Sequence, residues 1–196
     1  METQKTKTSW LGSNFILGLL VTTLSIFTAM ANYFAFDAGN NANDIRAEGD
    51  RLLANSNTDY INASQFIIVD FTMYDNYYVN LDVDDFAADY YQSQFSDELQ
   101  ASVDRDNPFD DQYYDAMYTD ADNMFNDAFD KFDESKALGD KEAGFQFSML
   151  IAAVGLSFAA YASLLEEVNR LRSVFAVLAI IAMAWSAWQF ILVWIG

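Results

Sequence analysis

The stretch "DQYYDAMYTDADNMFNDAFDKF" (Asp111–Phe132) is built largely from aspartate and aromatic residues. It is either a disordered acidic tract or one side of a folded element. Periodicity decides. At 100° per residue, Tyr114, Met117, Tyr118, Ala121, Met124, Phe125, Ala128, Phe129 and Phe132 fall within an arc of about 140°. Asp115, Asp120, Asp122, Asp127, Asp130 and Asp133 take the opposite side. The alternation a strand requires is absent, so an amphipathic helix is expected. Upstream, "DNPFDD" offers Asn107 as N-cap, Pro108 at the first helical position, and Asp110 and Asp111 beside the positive end of the helix dipole. Gly139, following Lys131 and Lys136, is the expected stop.

The same reading extends outward. Tyr60, Ala63, Ile67, Phe71, Tyr74, Tyr78 and Leu81 recur at steps of three and four after the cap-like "NSNTD". Ala88, Tyr91, Phe95, Leu99 and Val103 form a further stripe after "DVDD". Between Phe36 and Leu53 the signal weakens to Ala38, Ala42, Ile45 and Leu52, interrupted by Gly39 and Gly49. A three- or four-helix bundle is expected, its tyrosines burying their rings while the hydroxyls reach water or a carboxylate.

This middle region is also where the charge lies. Of the 196 residues, 37–142 hold 26 acidic and 6 basic side chains, a net of −20; the rest holds 3 acidic and 4 basic. The flanks are apolar and uncharged over Trp10–Phe36, Ala143–Leu165 and Ser173–Gly196, runs of 27, 23 and 24 residues. A bilayer core needs about 20 helical residues, so each run can span it. Trp10, Tyr33, Phe36, Trp188 and Trp194 sit near their ends, where aromatic rings favour the headgroup boundary. The expected class is therefore an all-α integral membrane protein with three transmembrane helices and an acidic, aromatic-rich bundle between the first and second.

Few basic residues are present to orient it. Lys5 and Lys7 precede the first span, and Arg170 and Arg172 lie in the link between the second and third. Lys and Arg in short loops mark the cytoplasmic side. Residues 1–9 are thus expected inside, 10–36 as a signal-anchor helix, 37–142 outside, 143–165 as the second span, 166–172 as a cytoplasmic turn and 173–196 as the third span. Lys5 and Lys7, the apolar run from Phe15 to Ile26 and Ala29-Met30-Ala31 also resemble a cleavable signal peptide, which would leave the acidic middle outside as well. One span, an outside helical domain and a closing two-span hairpin resemble the layout of various prokaryotic membrane proteins, implying a plasma-membrane location.

Several chemistries are excluded or disfavoured. With neither cysteine nor histidine, the chain lacks disulfides, thiol nucleophiles, histidine bases and Cys/His zinc sites. A net of −20 repels nucleic acid. The spans hold no Asp, Glu, Lys, Arg or His with which to relay protons or bind an ion. Asp104, Asp106, Asp110 and Asp115 echo a calcium loop but lack its turn glycine and closing glutamate, so no metal or other cofactor is expected. Gly155, Ala159 and Ser163, with Ala176 and Ala179, form small-residue rows suited to close helix packing.

The expected function is a non-enzymatic accessory membrane protein that assembles with itself or as a small subunit of a larger complex. Its partners are membrane lipid and proteins met through the spans or the outer aromatic and acidic face. The alternative is an extracytoplasmic binding or sensor module for a cation or a basic protein. A carboxylate-dependent hydrolase ranks behind both. The acidity itself is compatible with a saline exterior or with a docking field.

Overall fold

The computed structural model describes residues 13–166 and 169–196; the expected amino-terminal segment 1–9 with Lys5 and Lys7, the first residues 10–12 of the expected first span with Trp10, and residues 167–168 of the expected turn lie outside them. The described residues are all-helical: α1 (Asn14–Asn80), α2 (Asp85–Gln92), α3 (Asp97–Asp104), α4 (Asp111–Leu164) and α5 (Arg170–Ile195). Helices α1, α4 and α5 each contain a stretch long and apolar enough to cross a membrane. The chain divides into two compact units, one of residues up to Asp44 with Glu134–Gly196, the other Ile45–Asp133.

Three expectations about helix ends are corrected. Gly139 does not stop α4, which continues to Leu164. Its φ is not left-handed, so it lies in ordinary helix, and no proline follows to end it. Nor does α4 begin at Asn107 and Pro108. Asp106 and Phe109 adopt left-handed φ values of 58° and 60°, which breaks any helix through Pro108. The cap is Asp110, whose Oδ1 accepts from the Tyr113 amide at 2.8 Å. Finally, the Ala88–Val103 stripe is divided between two short helices. Ser96, extended at φ −62° and ψ 160°, caps α3 by accepting from the Leu99 amide, while Asp84 caps α2 through the Phe86 and Ala87 amides.

The seam between α1 and α4 is made of small residues rather than aromatic ones. Ala35, Ala42, Gly49, Ser56, Ala63 and Asp70 recur every seven residues on α1, and all are buried. Ala121, Ala128 and Ser135 do the same on α4, with Ser135 half-buried. A seven-residue repeat keeps one seam facing a partner helix. In the unit Ile45–Asp133, Ser56 Oγ donates to the Ala121 carbonyl at 2.8 Å. There a Cβ on Gly49 would stand 2.7 Å from Phe132 Cε1 and 3.2 Å from the Ala128 carbonyl, so the approach requires glycine. In the other unit, Ser135 Oγ donates to the Ala42 carbonyl at 2.8 Å. Each serine satisfies its hydroxyl on the facing backbone, which is possible only at this close spacing.

The apolar unit packs its hairpin by the same means. Ala152, Gly155, Ala159 and Ala162 of α4 are buried alongside Ala176, Ala179 and Ala182 of α5. A Cβ on Gly155 would lie 2.9 Å from Ala182 Cβ and 3.4 Å from Leu24 Cδ2. Ser186 Oγ donates to the Ser148 carbonyl at 2.6 Å. Close packing and hydrogen bonding of this kind suit helices able to cross a membrane, where lipid offers no hydrophobic driving force between them. At one end, Phe34 packs against Phe145 (5.8 Å), Phe190 (5.6 Å) and Trp194 (4.8 Å between ring centroids). At the other, buried Arg172 donates to the Leu165 carbonyl at 2.7 Å and to Asn14 Oδ1, tying together the start of α1, the end of α4 and the first turn of α5. A cation at the carboxyl end of α4 also complements its dipole.

Candidate functional site

The second unit contains a buried carboxylate. Asp70 interrupts the apolar run "FIIVDFTMY" and lies on the inward side of α1, seven residues beyond Ala63. Its exposure is 3%. Oδ1 accepts from the Ser96 amide at 3.1 Å; Oδ2 accepts from Ser96 Oγ at 2.5 Å and Tyr113 Oη at 2.8 Å. Ser96 at the same time accepts from the Leu99 amide at 3.1 Å. One carboxylate therefore joins α1, the amino terminus of α3 and α4, and the positive end of the α3 dipole faces it. The surrounding core is Ile67, Leu99 and Tyr113, with Tyr74, Phe95, Phe109 and Met117 packed on it. Phe71 stacks on Phe109 at 4.1 Å, and Phe109 meets Tyr113 edge-on at 5.2 Å.

Electrostatics fix the roles in this node. Burial, followed by the hydrogen bond to Asp70, pushes the Tyr113 phenol far above the ordinary tyrosine range, so Tyr113 is a permanent donor. It is no base at neutral pH. Asp70, held by three donors, is arranged as an acceptor that locks helices together. Beside it opens a cleft of about 460 Å³ lined by Asp59, Asn62, Phe66, Ser96, Glu98, Met117 and Asp120, among others. It combines carboxylates with an aromatic ring and a thioether, a lining suited to an organic cation rather than to an anion.

The four aspartates of the calcium-like motif are placed differently from a metal site. Asp104 ends α3 and accepts from Gln100 Nε2 at 3.0 Å. Asp106 occupies the left-handed turn, and Asp115 lies on α4. Asp110 is held by Arg105, whose Nε and Nη2 each donate at 2.7 Å, and that hydrogen-bonded pair holds its carboxyl below the usual carboxylate range. Among the described residues no three Asp, Glu, His or Cys gather as a metal-binding group.

Of the packing residues, Gly155, Ala159, Ala176 and Ala179 meet in the apolar seam, whereas Ser163 is exposed and donates back to the Ala159 carbonyl at 2.9 Å. Ala162 occupies the seam instead, fully buried. Sequence reading passed over Asp70, Ser56 and Ser186, each of which holds a buried position. The available signal was position: Asp70 and Ser56 fall on the inward stripe of α1, where a polar residue must find a partner. No protein family matches the chain, and no curated protein or solved structure is significantly similar to it.

Proposed function

We propose that this chain is a non-enzymatic integral membrane protein, an accessory or scaffolding subunit that assembles with other chains and carries residues 37–142 outside the cytoplasm. The observation that carries this reading is the continuity of two helices. α1 and α4 pass from uncharged apolar sequence into acid-rich sequence without a break over 67 and 54 residues. Their small-residue seam, the Asp70 node and the Arg172 clip are all devices for holding helices, which supports a scaffold over a catalyst. Arg170 and Arg172 favour a cytoplasmic link between α4 and α5, and hence an outer position for the acidic segment.

Extraction in mild detergent followed by native mass determination tests assembly. A homo-oligomer or a stoichiometric second chain is expected. A bare monomer from native membranes contradicts it. A second reading, a binding module for a basic partner, is favoured by one observation: in the segment Leu52–Asp104 ten acidic residues occur with no lysine or arginine.

A further inference from the structure

The turn between α1 and α2 displays apolar side chains that are largely exposed, Tyr90 alone among them meeting another ring, that of Tyr91, edge-on at 5.4 Å. α2 buries only Ala88. Phe86 and Tyr90, four residues apart and so on one face of the helix, are 84% and 57% exposed. Val83, immediately before the N-cap Asp84, is 80% exposed, and Val79 in the last turn of α1 is 70% exposed. The segment is nevertheless fixed. The Val83 and Asp84 amides each donate to the Asn80 carbonyl at 3.0 Å, and the Phe86 amide donates to Asp84 Oδ1 at 3.1 Å. Four exposed apolar side chains within twelve residues of an ordered turn are a candidate for an interaction site.

The charge pattern selects the occupant. Asp82, Asp84, Asp85 and Asp89 are interleaved with these apolar residues, and all four are exposed. A second copy of the chain would bring the same charge and be repelled, as would an anionic lipid surface. Exposed apolar side chains set among carboxylates along one short segment suit a partner whose own surface combines apolar and basic groups. We infer that the α1–α2 turn is a docking surface for a basic protein partner, one presenting an apolar centre ringed by Lys or Arg. The inference rests on the binding reading above and gives it an address.

The test uses the full chain in nanodiscs of zwitterionic lipid. The probe is a synthetic amphipathic helical peptide with a Leu/Phe face flanked by lysines, titrated by fluorescence anisotropy. Binding is expected, with affinity falling by about tenfold or more when sodium chloride rises from about 0.05 to 0.5 M. A V83S/F86S double variant, altered only at exposed positions, is expected to weaken binding by at least about tenfold at unchanged helicity. Asp82→Lys with Asp89→Lys, which spares the Asp84 cap, is expected to do the same. Equal binding by a lysine peptide without the apolar face, equal binding by V83S/F86S, or preferential association with a second copy overturns the surface. If V83S/F86S still co-purifies with its native partner from mild detergent, the surface is wrong while assembly stands. If the wild-type chain emerges alone, the assembly reading itself fails.

Discussion

Replacing Asp70 with alanine removes the acceptor that joins α1, α3 and α4, and strands three donors beside the cleft. The three are the Ser96 amide, Ser96 Oγ and Tyr113 Oη, at 3.1, 2.5 and 2.8 Å. A hydrogen bond to a charged group is worth about 1.5–3 kcal/mol net, and a buried donor left unsatisfied costs about 1–3 kcal/mol. The three are not additive, because Ser96 supplies two of them and solvent can enter beside the cleft. A loss of about 3–5 kcal/mol is therefore expected, enough to undock α3 without melting the apolar unit. Amide hydrogen exchange of the full chain in detergent, read by mass spectrometry, measures this directly. At about 1.4 kcal/mol per tenfold, protection of peptides from α3 should fall by about 100-fold or more, while α5 stays unchanged. Asp70→Asn keeps an acceptor for the Ser96 amide and should cost only about 1–2 kcal/mol. In a double-mutant cycle, Asp70→Ala and Tyr113→Phe should be strongly sub-additive. Protection of α3 within about threefold of wild type in Asp70→Ala would refute the node as the fastening of that helix.

Other perturbations test the rest of the architecture. Tyr113, its phenol held neutral by burial and Asp70, contributes stability that is fully present below the ordinary tyrosine value of about 10 and is lost as pH rises above it. Ultraviolet titration of the 11 tyrosines should show a late ionisation coincident with unfolding that is absent in Tyr113→Phe, beside that of Tyr60, which its hydrogen bond to Asp122 also raises. The Arg105–Asp110 pair has the opposite sign: Asp110 is lowered, so its contribution is present above the ordinary carboxylate value and lost as pH falls through the lowered one. Arg105→Gln should shift acid loosening of the α4 start to higher pH, as read by proteolysis within residues 105–110. Gly49→Ala places a Cβ 2.7 Å from the Phe132 ring and should destabilise by about 1–3 kcal/mol in denaturant titration. Gly155→Leu should weaken the apolar unit towards sodium dodecyl sulfate, since even a Cβ there would stand 2.9 Å from Ala182 Cβ.

The three apolar helices were legible because uncharged runs of this length have few other readings. The helical face of the opening stretch was legible in outline, and its Asp side is exposed. Its aromatic side was not read correctly in detail. Burial falls on Tyr113, Ala121 and Ala128, while Phe125 and Phe129 are 38% and 50% exposed. The inward direction is set by close approach to α1, which small residues permit and rings do not, and no single-helix hydrophobic pattern reports on its partner's spacing. Ala42, Ala63, Ala121 and Ala128 were legible on their stripes, but the seven-residue spacing that joins them to Ala35, Gly49, Ser56, Asp70 and Ser135 is not an apolar pattern. The start of α4 was hidden because local cap signals at Asn107 and Pro108 lost to the Arg105–Asp110 pair and to left-handed Asp106 and Phe109. Asp70 was hidden as one acid among 29, although only its position marked it as buried.

The central claim is a membrane protein with its acidic segment outside, and the natural absence of cysteine makes one measurement decisive. Single cysteines introduced at exposed Asp82 and exposed Asn169 should be challenged in intact cells with a membrane-impermeant maleimide. The account predicts that Asp82→Cys is labelled in intact cells and Asn169→Cys only after the membrane is opened. Labelling of Asn169→Cys with protection of Asp82→Cys would reverse the topology, and equal labelling of both in intact cells would contradict a spanning hairpin altogether.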